Sequence, residues 1–120
     1  MTSKRFLLVC RQPPYGGAGA RAALDLAMAA AAFDQQVALL FLGAGVTQLL
    51  GDQQAAAIGE KSFEKQLAAL PLYDVTELYA DAEALHRYGL DAADLSLPVK
   101  LVSAADISAL LAHSAIVHHF

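Results

Sequence analysis

Five short stretches of the chain read as strands: Phe6–Cys10, Val37–Leu42, Val75–Ala80, Pro98–Val102 and Ala115–Phe120. The first two are continuous apolar runs, the form a strand takes when both faces are covered. Longer stretches with helical character separate them. Arg21–Phe33 is rich in alanine, with Leu24, Leu26 and Met28, so its helix propensity is high. Ser62 can cap a helix whose Phe63, Leu67 and Leu70 share one face, with Pro71 as its stop. Asp81 can cap a short helix through Tyr88, closed by a left-handed Gly89. Ser103 and Asp106 form a capping-box pattern, and Ile107, Leu110 and Leu111 mark the buried stripe of a helix ending near His113. Gly43 and Gly45 open a helical turn ending near Leu50, and Gly51–Gly59 reads as a surface loop.

The predicted order is βαβαβαβαβ. Strands alternating with helices imply parallel pairing through right-handed crossovers. The expected architecture is a three-layer α/β/α sandwich with about five parallel strands. The 120 residues suit a single domain spanning 1–120.

Composition sharpens this picture. The chain is 57% hydrophobic and 17% charged, against about 45–50% and about 25% for an average soluble domain. A membrane span, a sheet buried on both sides, or a large subunit interface would each account for the excess. A span needs about 20 apolar residues in a row, and the longest run, Val37–Val46, stops between Gln36 and Thr47. Lys4 and Arg5 give a positive start, but Arg11 interrupts too soon after Phe6–Cys10 for a signal peptide. The expectation is a cytoplasmic chain with a buried sheet and a sizeable interface. Net charge is −4 with no Lys/Arg run, which disfavours direct nucleic-acid binding. One cysteine makes no internal disulfide and no CxxC pair.

Four features could carry chemistry. Gly17-x-Gly19-x-x-Ala22 follows strand one and matches a dinucleotide fingerprint variant, but its loop holds Pro13 and Pro14 and strand two ends without an acidic residue. A plain strand–helix connection is the competing reading. Cys10 lies near the C-terminal end of strand one beside Arg11, where a thiol nucleophile could sit, yet strand cysteines also pack as small hydrophobes. His86, His113, His118 and His119 show no metal-ligand spacing, since adjacent strand residues His118 and His119 face opposite ways. Asp81, Glu83, Asp91 and Asp94 fall at helix starts or loops, where carboxylates usually act as caps.

The chain as a whole resembles the DsrE/DsrF-like family, and within it the TusC/DsrF branch. The resemblance rests on Arg5-Phe-Leu-Leu-Val9, the Pro/Gly loop, and Gly19-x-Arg21-x-x-Leu24-Asp25. It continues through Val37–Val46, Gln48-Leu-Leu50, Leu72-Tyr73-Asp74-Val75 and Leu85-x-x-x-Gly89-Leu90-Asp91, and ends in a short strand finishing at Phe120.

The resemblance implies a sulfur-relay complex of three related subunits, usually a dimer of heterotrimers. Its partners would be TusB-like and TusD-like paralogues, with self-association possible for the isolated chain. Such complexes support either 2-thiolation of the tRNA wobble uridine or dissimilatory sulfur oxidation. The family's sulfur-carrying cysteine follows strand three at the start of the next helix. Counting back from Gly89-Leu90-Asp91 puts that position near Asp81, and a carboxylate cannot carry a persulfide. The resemblance therefore implies a non-catalytic subunit with no cofactor or metal. Proximity to the family's site makes Tyr73, Tyr79 and Asp81 candidate interface residues.

Overall fold

A computed structural model describes residues 5–12, 19–49, 67–91, 95, 99–114 and 116–120. Strands β1 (Arg5–Cys10), β2 (Gln36–Phe41), β3 (Glu77–Asp81), β4 (Lys100–Val102) and β5 (Ile116–His119) form one sheet in the order β4-β3-β2-β1-β5. Every pairing is parallel. Three α-helices are described: α1 (Gly19–Ala32), α2 (Ala82–Arg87) and α3 (Ala104–Ala112), with 3-10 segments at Gly43–Leu49 and Leu70–Tyr73.

The strand order decides how the sheet is clad. From β1 to β4 each step moves one place in the same direction; the last step then returns across the whole sheet to β5. Right-handed crossovers therefore put the first three connections on one face and the fourth on the other. The packing follows this division. On the first face Leu8, Cys10, Leu39, Phe41, Leu78 and Ala80 meet Ala23, Leu24 and Ala27 of α1, Val46, Leu49, Leu67, Leu70, and Ala84 and Leu85 of α2. On the second, Leu7, Val9, Ala38, Leu40, Leu42 and Val102 meet only the partly buried Ile107 and Leu110 of α3, with Tyr79 and Val117 alongside. The sandwich has three layers, but the described part of the third is one helix of nine residues.

An ion pair crosses the second face. Arg5 on β1 reaches over β2 to place Nη2 at 2.6 Å from Glu77 Oε1 on β3. Two strand spacings are about 9.6 Å, within an arginine's reach when nothing bulky intervenes. The register sets Ala38 beside Glu77 on that face, and its methyl leaves the path open. Nη2 also donates to the Tyr79 hydroxyl at 3.1 Å, and the guanidinium carbon stands 5.9 Å from the ring centre.

Local chemistry sets several boundaries. Asp81 caps α2, its side chain accepting from the Glu83 N–H at 3.1 Å, and Gly89 follows the helix with φ +68°. Ser103 and Asp106 form the reciprocal capping box at α3, and those bonds hold the Asp106 carboxyl below its usual pKa. Gly45 has no room for a side chain: a Cβ there would overlap the Cys10 carbonyl. Leu42 N–H donates to that same carbonyl at 3.0 Å, so the backbone after β2 lies directly against the end of β1.

Leu67 and Ala68 are helical and that helix closes just before Pro71, which lies in the first turn of the 3-10 segment that follows, where its missing N–H costs nothing. Three expectations change. Strand β3 runs two residues shorter at its start than Val75, and β4 begins at Lys100 rather than Pro98. The Ile107–Leu110–Leu111 stripe is not buried: α3 has no buried residue, and Leu111 is 37% exposed. The period marks an apolar side, but among the described residues no second helix on that face closes over it. The Ser62 cap, Phe63 and the Gly51–Gly59 loop lie outside the described residues.

Replacing Gly45 by alanine should destabilise the domain by roughly 2 kcal/mol or more, since backbone cannot yield as a side chain does. Urea unfolding of the variant against the parent measures this. An unchanged midpoint would contradict the close approach of the two strand ends.

Candidate functional site

Parallel α/β sheets bind ligands beyond the C-terminal ends of their strands. Cys10 ends β1 and Asp81 ends β3, on either side of β2. They differ in what they offer. Cys10 is wholly buried, in the core cluster with Leu8 and Phe41. Its Sγ stands 3.8 Å from the Leu8 carbonyl oxygen. Burial pushes its thiol up to about 12. The nucleophile is the thiolate, and at neutral pH such a group is ionised about once in 10⁵ molecules. Arg11, next in the chain, is exposed and leaves the thiol in an apolar surround. In this structure the residue packs as a small hydrophobe in the core.

Asp81 is half-buried and spends one carboxylate oxygen on its own helix. A group at a helix start meets the unsatisfied N–H dipoles there, and a carboxylate fills that place as a cap. Glu83 is exposed and pairs with Arg87 at 3.5 Å, one turn along, a surface contact of small energetic weight. Asp91 is exposed, and Asp94 lies outside the described residues.

The three candidate interface residues are not brought together. Tyr79 lies half-buried on the second face under Arg5, its hydroxyl 3.4 Å from Glu77 Oε1. Asp81 shares that face of β3 two residues on, at the strand's C-terminal end. Tyr73 is 48% exposed in the 3-10 segment that leads into β3, at the opposite end of the sheet.

His86, His113, His118 and His119 are all exposed and fall on α2, the end of α3 and β5. Among the described residues no group of three or more His, Cys, Asp or Glu side chains could hold a metal ion. No described helix is long and apolar enough to cross a membrane. Of the glycine fingerprint, Gly17 lies outside the described residues, while Gly19 begins α1 with its Cα against the Gln12 side chain.

Sequence reasoning missed a cleft of about 210 Å³ between α3 and the sheet, where Arg5, Tyr79, Lys100, Asp106 and His113 converge. Its acidic lining residue, Asp106, is already engaged by Ser103, and its Arg5 by Glu77. Arg5 and Glu77 are 72 residues apart, and only the strand register brings them together.

Alkylation of the native protein at pH 7.5 should label Cys10 at least about a thousandfold more slowly than in the urea-unfolded chain, following the thiolate fraction. The thiol also sets an alkaline limit. The unfolded chain deprotonates near 9.0 and the folded one near 12, so the unfolded state binds fewer protons between those values and stability falls as pH rises. The contribution is up to about 1.4 kcal/mol per pH unit. Urea midpoints of the parent and Cys10→Ala across pH 8 to 11 (about the accessible part of that window) should converge as pH rises; parallel curves would refute the burial of the thiol.

The DsrE/DsrF-like family model matches residues 4–119. A Pseudomonas aeruginosa protein described as a TusC homolog is 40% identical over 100 residues, covering 83% of this chain and 84% of that protein. The intracellular sulfur oxidation protein DsrF of Allochromatium vinosum is 40% identical over 92 residues, covering 77% of this chain and 68% of that protein. Two solved structures share the fold. The ychN protein from E. coli superposes with TM-score 0.84 at 19% identity, covering 98% of this chain and 99% of its own. MTH1491 from Methanobacterium thermoautotrophicum gives 0.74 at 16% identity, covering 98% and 100%. Matched along nearly its entire length, the chain belongs to the DsrE/DsrF-like family.

Proposed function

We propose that this chain is a subunit of a cytoplasmic sulfur-relay complex, and that it supports 2-thiolation of the tRNA wobble uridine without carrying sulfur itself. The observation that carries this reading is the state of Cys10, the sole cysteine, which is wholly buried with its thiol raised to about 12. A relay carrier needs an accessible thiolate. Asp81 stands where the family resemblance puts the sulfur-carrying cysteine, and it caps a helix. What remains for the chain is to shape and support its partners. Those partners are TusB-like and TusD-like paralogues in a heterohexamer, with the TusD-like subunit holding the reactive thiol. The likeness to TusC homologs favours this pathway.

A second reading has one observation of its own, the 40% identity to the sulfur oxidation protein DsrF. In that case the same non-catalytic role serves sulfur oxidation. Deleting the gene and measuring 2-thiouridine in bulk tRNA separates the two: loss of the modified base favours the first, an unchanged level the second.

The non-catalytic role is tested on the reconstituted complex. Cys10→Ala should leave sulfur transfer within about twofold of the parent, because no transition-state contact is removed. Mass spectrometry during turnover should find added sulfur on the TusD-like subunit and none on this chain. A persulfide on Cys10, or transfer abolished while the complex stays assembled, would sink the reading.

A further inference from the structure

Phe33, Leu72 and Tyr73 are the most exposed large apolar side chains among the described residues, at 78%, 85% and 48%. Phe33 sits in the turn from α1 into β2, and Leu72 and Tyr73 in the 3-10 segment before β3. Since β2 and β3 are neighbours, the two turns lie side by side at the end of the sheet where the strands begin. A groove of about 410 Å³ runs between them, lined by Asp34, Gln35, Tyr73, Asp74, Thr76 and Glu77 among others.

Its charge is one-sided. Among the described residues no Lys, Arg or His lines it, and Glu77 is engaged by Arg5. Asp34 and Asp74 are exposed and have no ion pair among the described residues. The site thus holds two carboxylates with no ion pair among the described residues, with Tyr73 in its lining and the exposed Phe33 and Leu72 next in the chain to lining residues. Exposed apolar clusters rimmed by polar residues mark association surfaces. A purely apolar occupant would strand the carboxylates, and a purely basic one would leave Phe33 and Leu72 in water.

We infer that this groove is a subunit interface, and that its occupant is a partner-subunit segment in which Lys or Arg is flanked by aliphatic or aromatic residues. The inference rests on the reading of the chain as a complex subunit. The cation lies between Asp34 and Asp74, near enough to the Tyr73 ring for cation–π attraction, and its apolar neighbours cover Phe33 and Leu72. A second copy of this chain could offer Arg87 and Tyr88, both exposed, but Arg87 already faces Glu83.

The test uses the chain mixed with its TusB-like and TusD-like partners, with Kd measured by calorimetry at two salt concentrations. Asp34 and Asp74 both adopt left-handed backbone, φ 60° and 62°, which asparagine tolerates equally well. The double variant Asp34→Asn/Asp74→Asn should therefore keep its fold, weaken binding by about tenfold and flatten its salt dependence. Phe33→Ser/Leu72→Ser should weaken binding by about tenfold or more with the salt dependence retained. Leu111→Ser on α3 should change it less than about twofold. Groove variants that bind like the parent overturn the proposal, as does a self-dimer of the isolated chain that they dissolve, which would make a second copy the occupant. If the parent forms no complex with these partners, the subunit reading fails and this inference with it.

Discussion

Two strands must stay dry on both faces, and the rest of the molecule is arranged to keep them so. Leu7 through Cys10 on β1 and Ala38 through Phe41 on β2 have no exposed surface. They hold the centre of a parallel sheet, where one face cannot be given to water as in an antiparallel one. The cladding, however, is dictated by strand order. Three crossovers fall on one side and one on the other, so the first face receives α1, α2 and both 3-10 segments while the second has α3. The residues of the second face follow from that scarcity. Ala38 and Val102 are small, Tyr79 spreads a flat ring, and Arg5 spans β2 to reach Glu77. The arginine does there what a second helix would do elsewhere: its stem covers apolar surface while its head finds a charge.

The same burial that stabilises the sheet encloses the thiol at the C-terminal end of β1. Gly45 brings the backbone after β2 against the carbonyl of Cys10, and the 3-10 segment that holds it contributes Val46 and Leu49 to the core around it. A thiol so enclosed resists ionisation. At the end of β3 the position next to solvent is taken by Asp81, whose oxygen serves its own helix. Of the two strand ends, one side chain is thus enclosed and the other serves as a cap.

Much of this was legible before any coordinates. The apolar runs of β1 and β2, the Asp81 cap, the Gly89 stop and the Ser103–Asp106 box are all local patterns whose physics acts within a few residues, and each appears where the sequence places it. What no local pattern gives is of longer range. The stripe on α3 has the right period, but period says which side of a helix is apolar and not whether enough neighbours exist to bury it. The burial of Cys10 depends on the distant Gly45, whose approach no local pattern gives. Tyr73, Tyr79 and Asp81 are close in sequence, yet a strand separates the first from the last by its own length, so they face three different surroundings.

The apolar excess of the chain now divides into two unequal parts. One part is intrinsic to a parallel sheet: strands covered on both sides spend every position on apolar side chains, and that alone raises the fraction above average. It does not account for Phe33, Leu72, Tyr73, Leu101 and Leu111, which stand in water in the isolated chain. Scattered singly, such residues need no explanation. Phe33, Leu72 and Tyr73 are not scattered, because adjacent strands set side by side the turns that carry them; Tyr73 lines the groove there, and Phe33 and Leu72 each precede a residue that does. Their place at the strand-entry end also separates association from chemistry. A partner docked there leaves the C-terminal end of the sheet, where this family resemblance locates the sulfur-carrying position, open to a neighbouring subunit.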